Sequence, residues 1–334
     1  MNRRTRRTLL VVAVVLVLLA LAIFLRSKAP PEAARLLPES DGIIYVNFKP
    51  IRTFSHFKDL KPPQRDPDYQ RFVEATGVDW EQDLDQVAIA LHRMPDPKGP
   101  NGPVAYSMVL VGKLTGKKLN SWLDAHAASR ESYGGHTIYN ITSQDRTVRV
   151  TQIGYDMIAV SNTPTTEQIH SMLDRHRAAA LPFSGSSLLE RYYKEIPLLS
   201  IAWGMGQIGT PFSESGAIKI FGMSLPIEAD STFIASIRWA GSLHLRVVEI
   251  APNEGAATEQ AASLATLLTM ARGLAAPLGE NPANDGLKEL LKTAVVNQNQ
   301  DRVVLTATVS PALFATPGNS PSRQTTPPTP DATK

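Results

Sequence analysis

Hydrophobic and polar positions along the chain follow two rhythms. Ten short stretches (43–48, 87–93, 105–111, 137–141, 147–153, 157–161, 198–203, 232–239, 242–250 and 302–309) are rich in β-branched and aromatic residues. They are bounded by Gly, Pro, Asn or Asp, which predicts strands. Four other stretches place the residues of one stripe at i, i+3, i+4 and i+7: Leu119, Trp122, Leu123, His126; Ile169, Met172, Leu173, His176; Leu264, Leu267, Leu268, Ala271; and Leu287, Leu290, Leu291, Ala294. Each predicts a helix with one apolar face, suited to lie on a sheet. Asp66-Pro67 and Thr163-Pro164 supply a capping side chain followed by a first-turn proline. Ala240-Gly241 and Gly154-Tyr155 are links of hairpin length, which argues for antiparallel pairing.

The order strand, linking region, two strands, stripe helix occurs twice, starting from Gly42 and again from Leu198. The expected fold is therefore α+β, with antiparallel sheets and helices packed on one face, in two related units at 39–183 and 184–314.

A different pattern precedes both. Residues 9–25 (LLVVAVVLVLLALAIFL) contain no polar side chain, and 14 of the 17 are Leu, Val, Ile or Phe. At about 1.5 Å per residue the run spans roughly 26 Å, near the thickness of a thin bilayer core. Its insertion is favoured by about 4–8 kcal/mol at most. Four arginines precede it, against Arg26 and Lys28 after it. The positive-inside bias then places 1–8 in the cytoplasm and the rest across the membrane. The expectation is a single-pass protein of the cell membrane that meets lipid through 9–25 and holds its large domain in the periplasm. Secretion after cleavage is the alternative, but the small-x-small match Ala20-Leu21-Ala22 lies inside the apolar run. Thr5-Arg6-Arg7-Thr8-Leu9-Leu10 also looks like a twin-arginine export signal. Residues 26–38 read as a linker. Residues 315–334, with five prolines and no large apolar side chain, read as a disordered tail.

Charge changes the picture once the N-terminus is set aside. Residues 1–28 carry six basic side chains and no acidic one, which leaves 28 Lys and Arg against 31 Asp and Glu in the remainder. Such a mildly acidic domain has no electrostatic footprint for nucleic acid. The absence of cysteine excludes disulfides, thiolate metal sites and a thiol nucleophile.

Three segments carry a resemblance: Leu37-Pro38-Glu39-Ser40-Asp41-Gly42 before a strand, Tyr133-Gly134-Gly135-His136-Thr137-Ile138-Tyr139 after the first stripe helix, and Gly185-Ser186-Ser187-Leu188-Leu189. With these, residues 35–312 resemble an uncharacterised family of N-terminally anchored bacterial envelope proteins that carry a domain of unknown function. The resemblance implies a fold and a location, and supplies no catalytic residue.

Candidate chemistry is sparse. Gly204-Met205-Gly206-Gln207-Ile208-Gly209 has GxGxxG spacing, but no apolar helix follows to hold a pyrophosphate, so it reads as a glycine-rich exit from an edge strand. In Gly112-Lys113-Leu114-Thr115-Gly116-Lys117-Lys118 the phosphate-loop spacing is lacking and Thr115 reads as a helix cap. Asp79, Glu81, Asp83 and Asp85 alternate like a calcium loop, yet Leu84 and Ala90 stand where Gly and Glu are needed. His126 and His176, closing equivalent stripes, are the metal candidates, without a third ligand at suitable spacing. His170 and Asp174 share a helix face as a solvated pair. Ser184-Gly185-Ser186-Ser187 lacks a nucleophile elbow and reads as a helix cap, and Asn140-Ile141-Thr142 is a glycosylation sequon.

These readings favour a non-enzymatic envelope module without cofactor that binds an envelope protein, a polymer or a small ligand. A hydrolase with a site assembled from dispersed residues is the alternative. A deep polar pocket uniting His126, His136, His176, Asp124 or Glu131 would favour the enzyme, and a shallow apolar groove between the units would favour binding. The topology is testable directly. A phosphatase reporter fused after Lys28 is expected to be active and a cytoplasmic reporter silent; the reverse pattern overturns the assignment.

Overall fold

The structure, a computed structural model, describes residues 29–54, 66–143, 146–178, 185–207, 217–220, 223–226, 231–279 and 282–309. The apolar run 9–25 and the tail 315–334 lie outside these residues. Among the described residues no helix is long and apolar enough to cross a membrane.

The chain is α+β with a large antiparallel sheet. A short helix α1 (Glu32–Arg35) leads into β1 (Gly42–Asn47), then α2 (Phe48–Phe54), α3 (Pro67–Thr76), α4 (Trp80–Asp83), β2 (Leu84–Arg93) and β3 (Val104–Gly112). Helix α5 (Lys117–His126) precedes β4 (Ser129–Tyr133), β5 (His136–Ser143), β6 (Arg146–Gln152) and β7 (Met157–Ser161). Then come α6 (Glu167–Arg177), α7 (Ser187–Tyr192), a 3-10 turn (Tyr193–Glu195) and β8 (Ser200–Gln207). The small hairpin β9 (Ala217–Ile220) and β10 (Met223–Pro226) is followed by β11 (Thr232–Trp239) and β12 (Leu243–Ile250). Helices α8 (Glu254–Ala275) and α9 (Pro282–Thr293) precede β13 (Val295–Asn299) and β14 (Arg302–Val309).

Among the described residues, twelve strands form one continuous sheet in the order β13-β14-β12-β11-β8-β1-β2-β3-β7-β6-β5-β4, and every ladder is antiparallel. Its two halves meet where β1 pairs with β8, Tyr45 opposite Trp203. The expected hairpins at Gly154-Tyr155 and Ala240-Gly241 join β6 to β7 and β11 to β12.

Helices cover both faces of the sheet, not one as expected. Neighbouring strand residues alternate sides. Val109, Ala159 and Ile138 pack with Ile169, Met172 and Leu173 of α6, with Ala33 and Ala34 of α1, and with Leu189 of α7. Leu110, Ile158 and Tyr139 face the other way, against Leu119 and Leu123 of α5 and against Phe72 and Trp80 of α3 and α4. In the second half Val304 joins the α6 side, while Val303 packs with Ala257 and Leu264 of α8. The expectation failed because strands such as β3 (VAYSMVLVG) and β7 (MIAVS) are apolar on both sides, the mark of a sheet sandwiched between layers.

Helix starts follow their caps unevenly. Asp66 accepts from the Asp68 amide and α3 ends at left-handed Gly77, as the sequence predicts. Helix α6 instead begins at Glu167, because Thr163 is drawn into a buried hydrogen-bond network. Thr115 does not cap α5; the cap position is Gly116, and the Thr115 hydroxyl donates to the Tyr155 carbonyl at 2.6 Å.

The centre of the core is aromatic. Trp203, 4% exposed, stacks on Tyr45 across the β1–β8 pair at 5.3 Å and meets Tyr193 edge-on at 5.6 Å. Burial pushes the Tyr45 phenol well above its ordinary range. Trp203→Ala is expected to cost about 3–5 kcal/mol of stability, read as a lower urea midpoint at unchanged cooperativity. An unchanged midpoint would contradict this packing.

Candidate functional site

The residues marked by sequence are placed far apart. His126 and His176 end helices on opposite faces of the sheet and do not meet. His126 is exposed, stacks on Trp122 at 4.2 Å and bonds the Trp122 carbonyl through Nδ1 at 2.8 Å. His176 faces His136 instead, with ring centroids 6.4 Å apart and planes at 78°. Asp124 pairs with Arg130 at 3.0 Å. His170 and Asp174 bond two different residues of β4 and not each other. His170 Nε2 lies 2.6 Å from Glu131, and the Tyr133 hydroxyl donates to Asp174 at 2.8 Å. Tyr133 also lies flat on His170, with centroids 3.8 Å apart. Hydrogen bonding to the Asp174 carboxylate pushes the Tyr133 phenol up.

The other motifs are structural. Gly204 and Gly206 lie within β8, a central strand and not an edge, and Gly209 lies outside the described residues. Asp79 accepts from the Glu81 amide as the cap of α4, Asp83 accepts from the Asp79 amide, and Asp85 pairs with Lys49 and Arg52. Ser186 caps α7. Asn140 sits in β5 with its amide donating to Ser129. Among the described residues no three His, Asp or Glu side chains group to hold a metal ion.

A buried polar row escaped the sequence reading. On the α6 side of the sheet, Asn140, Arg149, Ser161 and Ser107 stand opposite one another across β5, β6, β7 and β3. His92 Nε2 lies 2.9 Å from the Ser107 hydroxyl, Ser107 lies 3.1 Å from Ser161, and Ser161 lies 2.9 Å from Thr163. Arg149, 8% exposed, donates to the Thr163 carbonyl at 2.6 Å and to the Pro164 carbonyl at 3.2 Å. The histidine–serine contact has the distance of a catalytic pair, but Ser107 and Ser161 are fully buried, so neither hydroxyl faces a substrate. The row pins the 162–166 loop to the sheet. Its signal in sequence is faint, because Ser107 and Ser161 are single small polar residues in otherwise apolar strands.

The accessible site lies on the other face, where α5 crosses β5, β6 and β7. Leu119 and Leu123 form one wall, and Tyr139, Val150 and Ile158 form the floor of a groove of about 490 Å³. Asn120, His136, Thr137 and Gln152 supply polar atoms, and Tyr155, 96% exposed, stands at the lip. Two tight turns fix the rim. Gly134 and Gly135 take φ of +58° and +86°, as a two-residue hairpin of this hand requires, and so place His136 at the first position of β5. The other turn, between β6 and β7, is closed by Ile153 N–H donating to Met157 O at 2.9 Å and by the Gln152 side-chain amide donating to Gly154 O at 2.7 Å. A second depression, open and shallow, runs along α6 beside His170, Ser171 and Asp174.

No protein-family model matches the chain, and no curated protein matches it. Among solved structures, crystal form III of TP0453 matches at 12% identity over 86% of this chain and 97% of that chain, with a TM-score of 0.45. Crystal form IV of TP0453 matches at 11% identity over 85% and 94%, with a TM-score of 0.43.

The polar row makes stability depend on pH. Burial lowers the pKa of His92, opposed by the Asp41 charge and the Glu39 backbone. The unfolded chain takes up this proton near pH 6.5, while the folded ring resists it until lower pH. The His92 contribution is therefore complete above pH 6.5 and is lost as pH falls through the window below it. His92→Gln should flatten that part of the urea midpoint between about pH 7 and 5; an unaltered pH profile would exclude His92 as its source.

Proposed function

We propose that this chain is a non-enzymatic binding module of the bacterial envelope, held at the membrane by residues 9–25 with its large domain on the periplasmic side. The groove under α5 carries the reading. It is lined mainly by apolar side chains, with a few polar atoms along one side, the composition of a small-ligand site. Its walls are a helix and a sheet, and its rim is fixed by main-chain hydrogen bonds, so it exists before the ligand arrives. The ligand it fits has an apolar body for Leu119, Leu123 and Ile158 and a hydrogen-bonding end for Asn120, Thr137 or Gln152. The apolar run and its arginine asymmetry support the tether and its orientation.

The same proposal reads the chain as two related units, 39–183 and 184–314. The sheet order supports it: outward from the central pair, β1-β2-β3-β7-β6 is mirrored by β8-β11-β12-β14-β13, with α5 and α8 in matching places in the chain. The first unit adds the hairpin strands β4 and β5 at its outer edge, which build the rim of the groove.

The neutral fluorophore N-phenyl-1-naphthylamine tests the groove on the chain lacking residues 1–28, once its cooperative unfolding is established. Binding is expected to weaken at least about tenfold in Leu123→Glu and to persist in Leu274→Glu, whose site is exposed on α8. Equal binding by both variants would remove the groove as the site.

A further inference from the structure

We propose that His136 and His176, with the thioether of Met157 as a third donor, form a site for monovalent copper at the end of the sheet where β5, the β6–β7 turn and α6 converge. The first observation is the tautomer. His136 Nδ1 lies 2.9 Å from the Gln152 carbonyl, which only accepts, so Nδ1 carries the proton and Nε2 keeps its lone pair free. A metal-binding histidine is oriented by this kind of outer hydrogen bond. The second is the partner ring. Among the described residues the His176 ring has no hydrogen-bond partner, and it stands 6.4 Å from that of His136. With metal–nitrogen bonds of about 2.0–2.1 Å and ring nitrogens about 1.2 Å from their centroids, two imidazoles on opposite sides of one ion have centroids about 6.4 Å apart. The observed spacing therefore leaves room for one ion between the rings, with side-chain rotation bringing the donor atoms onto it.

The third observation is the space beside Gly154. A β-carbon there would lie 3.8 Å from His176 Nε2 and 3.9 Å from the Met157 methyl, so both border the same gap left by the missing side chain. Gly154 has φ +116°, a conformation that keeps larger residues out and the gap open. Two imidazoles and a thioether, without a carboxylate among the donors, form a soft set that favours monovalent copper over magnesium or calcium. The nearest acidic group on α6, Asp174, is engaged by Tyr133 and Arg177. His136 and Gly154 also line the groove under α5, so the metal site shares one edge with it.

The full-length chain in detergent is titrated with silver(I), a redox-inert stand-in, and with copper(I) against a competing chelator. One equivalent is expected to bind, and histidine nitrogen NMR should show Nε2 of both His136 and His176 shifting together. His136→Ala and His176→Ala should each weaken binding at least about tenfold, and the double variant should lose the site. Met157→Leu should weaken copper(I) several-fold while leaving zinc(II) unchanged. His126→Ala and Leu274→Glu should bind metal as the parent does. Metal uptake untouched by both histidine variants, or ring signals unmoved in the parent protein, would overturn the proposal even if a variant fails to fold.

Discussion

The antiparallel pairing of β1 with β8 is the constraint on which the rest of the structure depends. It fuses two half-sheets into one and sets Tyr45 against Trp203 at the centre of the core. The register leaves no slack, because β1 is also paired along its other edge with β2. A slip of one residue would send Ile43 and Tyr45 to the opposite face and leave Ile44 and Val46 among the helices of the α6 side. Gly204 accommodates the closeness of the two strands: a side chain there would press on the Ile43 carbonyl at 3.3 Å.

The two faces of the first half do different work. The α6 side of the sheet is more fully covered, and most of its polar row is paired within the protein by strands, a loop and a buried arginine, although Asn140 Oδ1 and Arg149 Nε find no partner. Such a network costs stability if any member is lost, because each buried group would then lack a partner. The α5 side is only partly covered, and the groove is what remains open. Buried hydroxyls on one face and an open groove with a mixed lining on the other set the two faces apart.

Much of this fold could be read in the sequence. Met157–Ser161, Thr232–Trp239 and Arg302–Val309 are strands with the bounds their patterns predict, and the four stripe helices are present. Strand β4 (SRESY) was invisible because it lies at the sheet edge, where polar side chains are tolerated on both sides. The layer count was misread because one apolar stripe says that a helix lies on a sheet, but not on which side. That ambiguity also explains the histidines. His126 and His176 close equivalent stripes, yet their helices pack on opposite faces, while His136, 40 positions before His176, reaches it through the hairpin at Gly134-Gly135. The buried row drew one member from each of several strands, and no local pattern reports such an assembly.

The β1–β8 ladder joins residues 42–46 to 202–206. A chain delivered from its N-terminus therefore presents β1, β2 and β3 well before the partner of β1 emerges. At synthesis rates of about 5–20 residues per second, the interval is on the order of 8–30 s. Throughout it, one side of β1 (GIIYVN) exposes a row of unmatched amides and carbonyls on a strand rich in isoleucine and valine. Such a nascent edge invites the wrong strand, from a neighbouring chain or from later in its own. The first half of the molecule thus inherits a period of vulnerability that ends only with the arrival of β8, and a holdase that shields this edge during synthesis would act where the fold is slowest to complete itself.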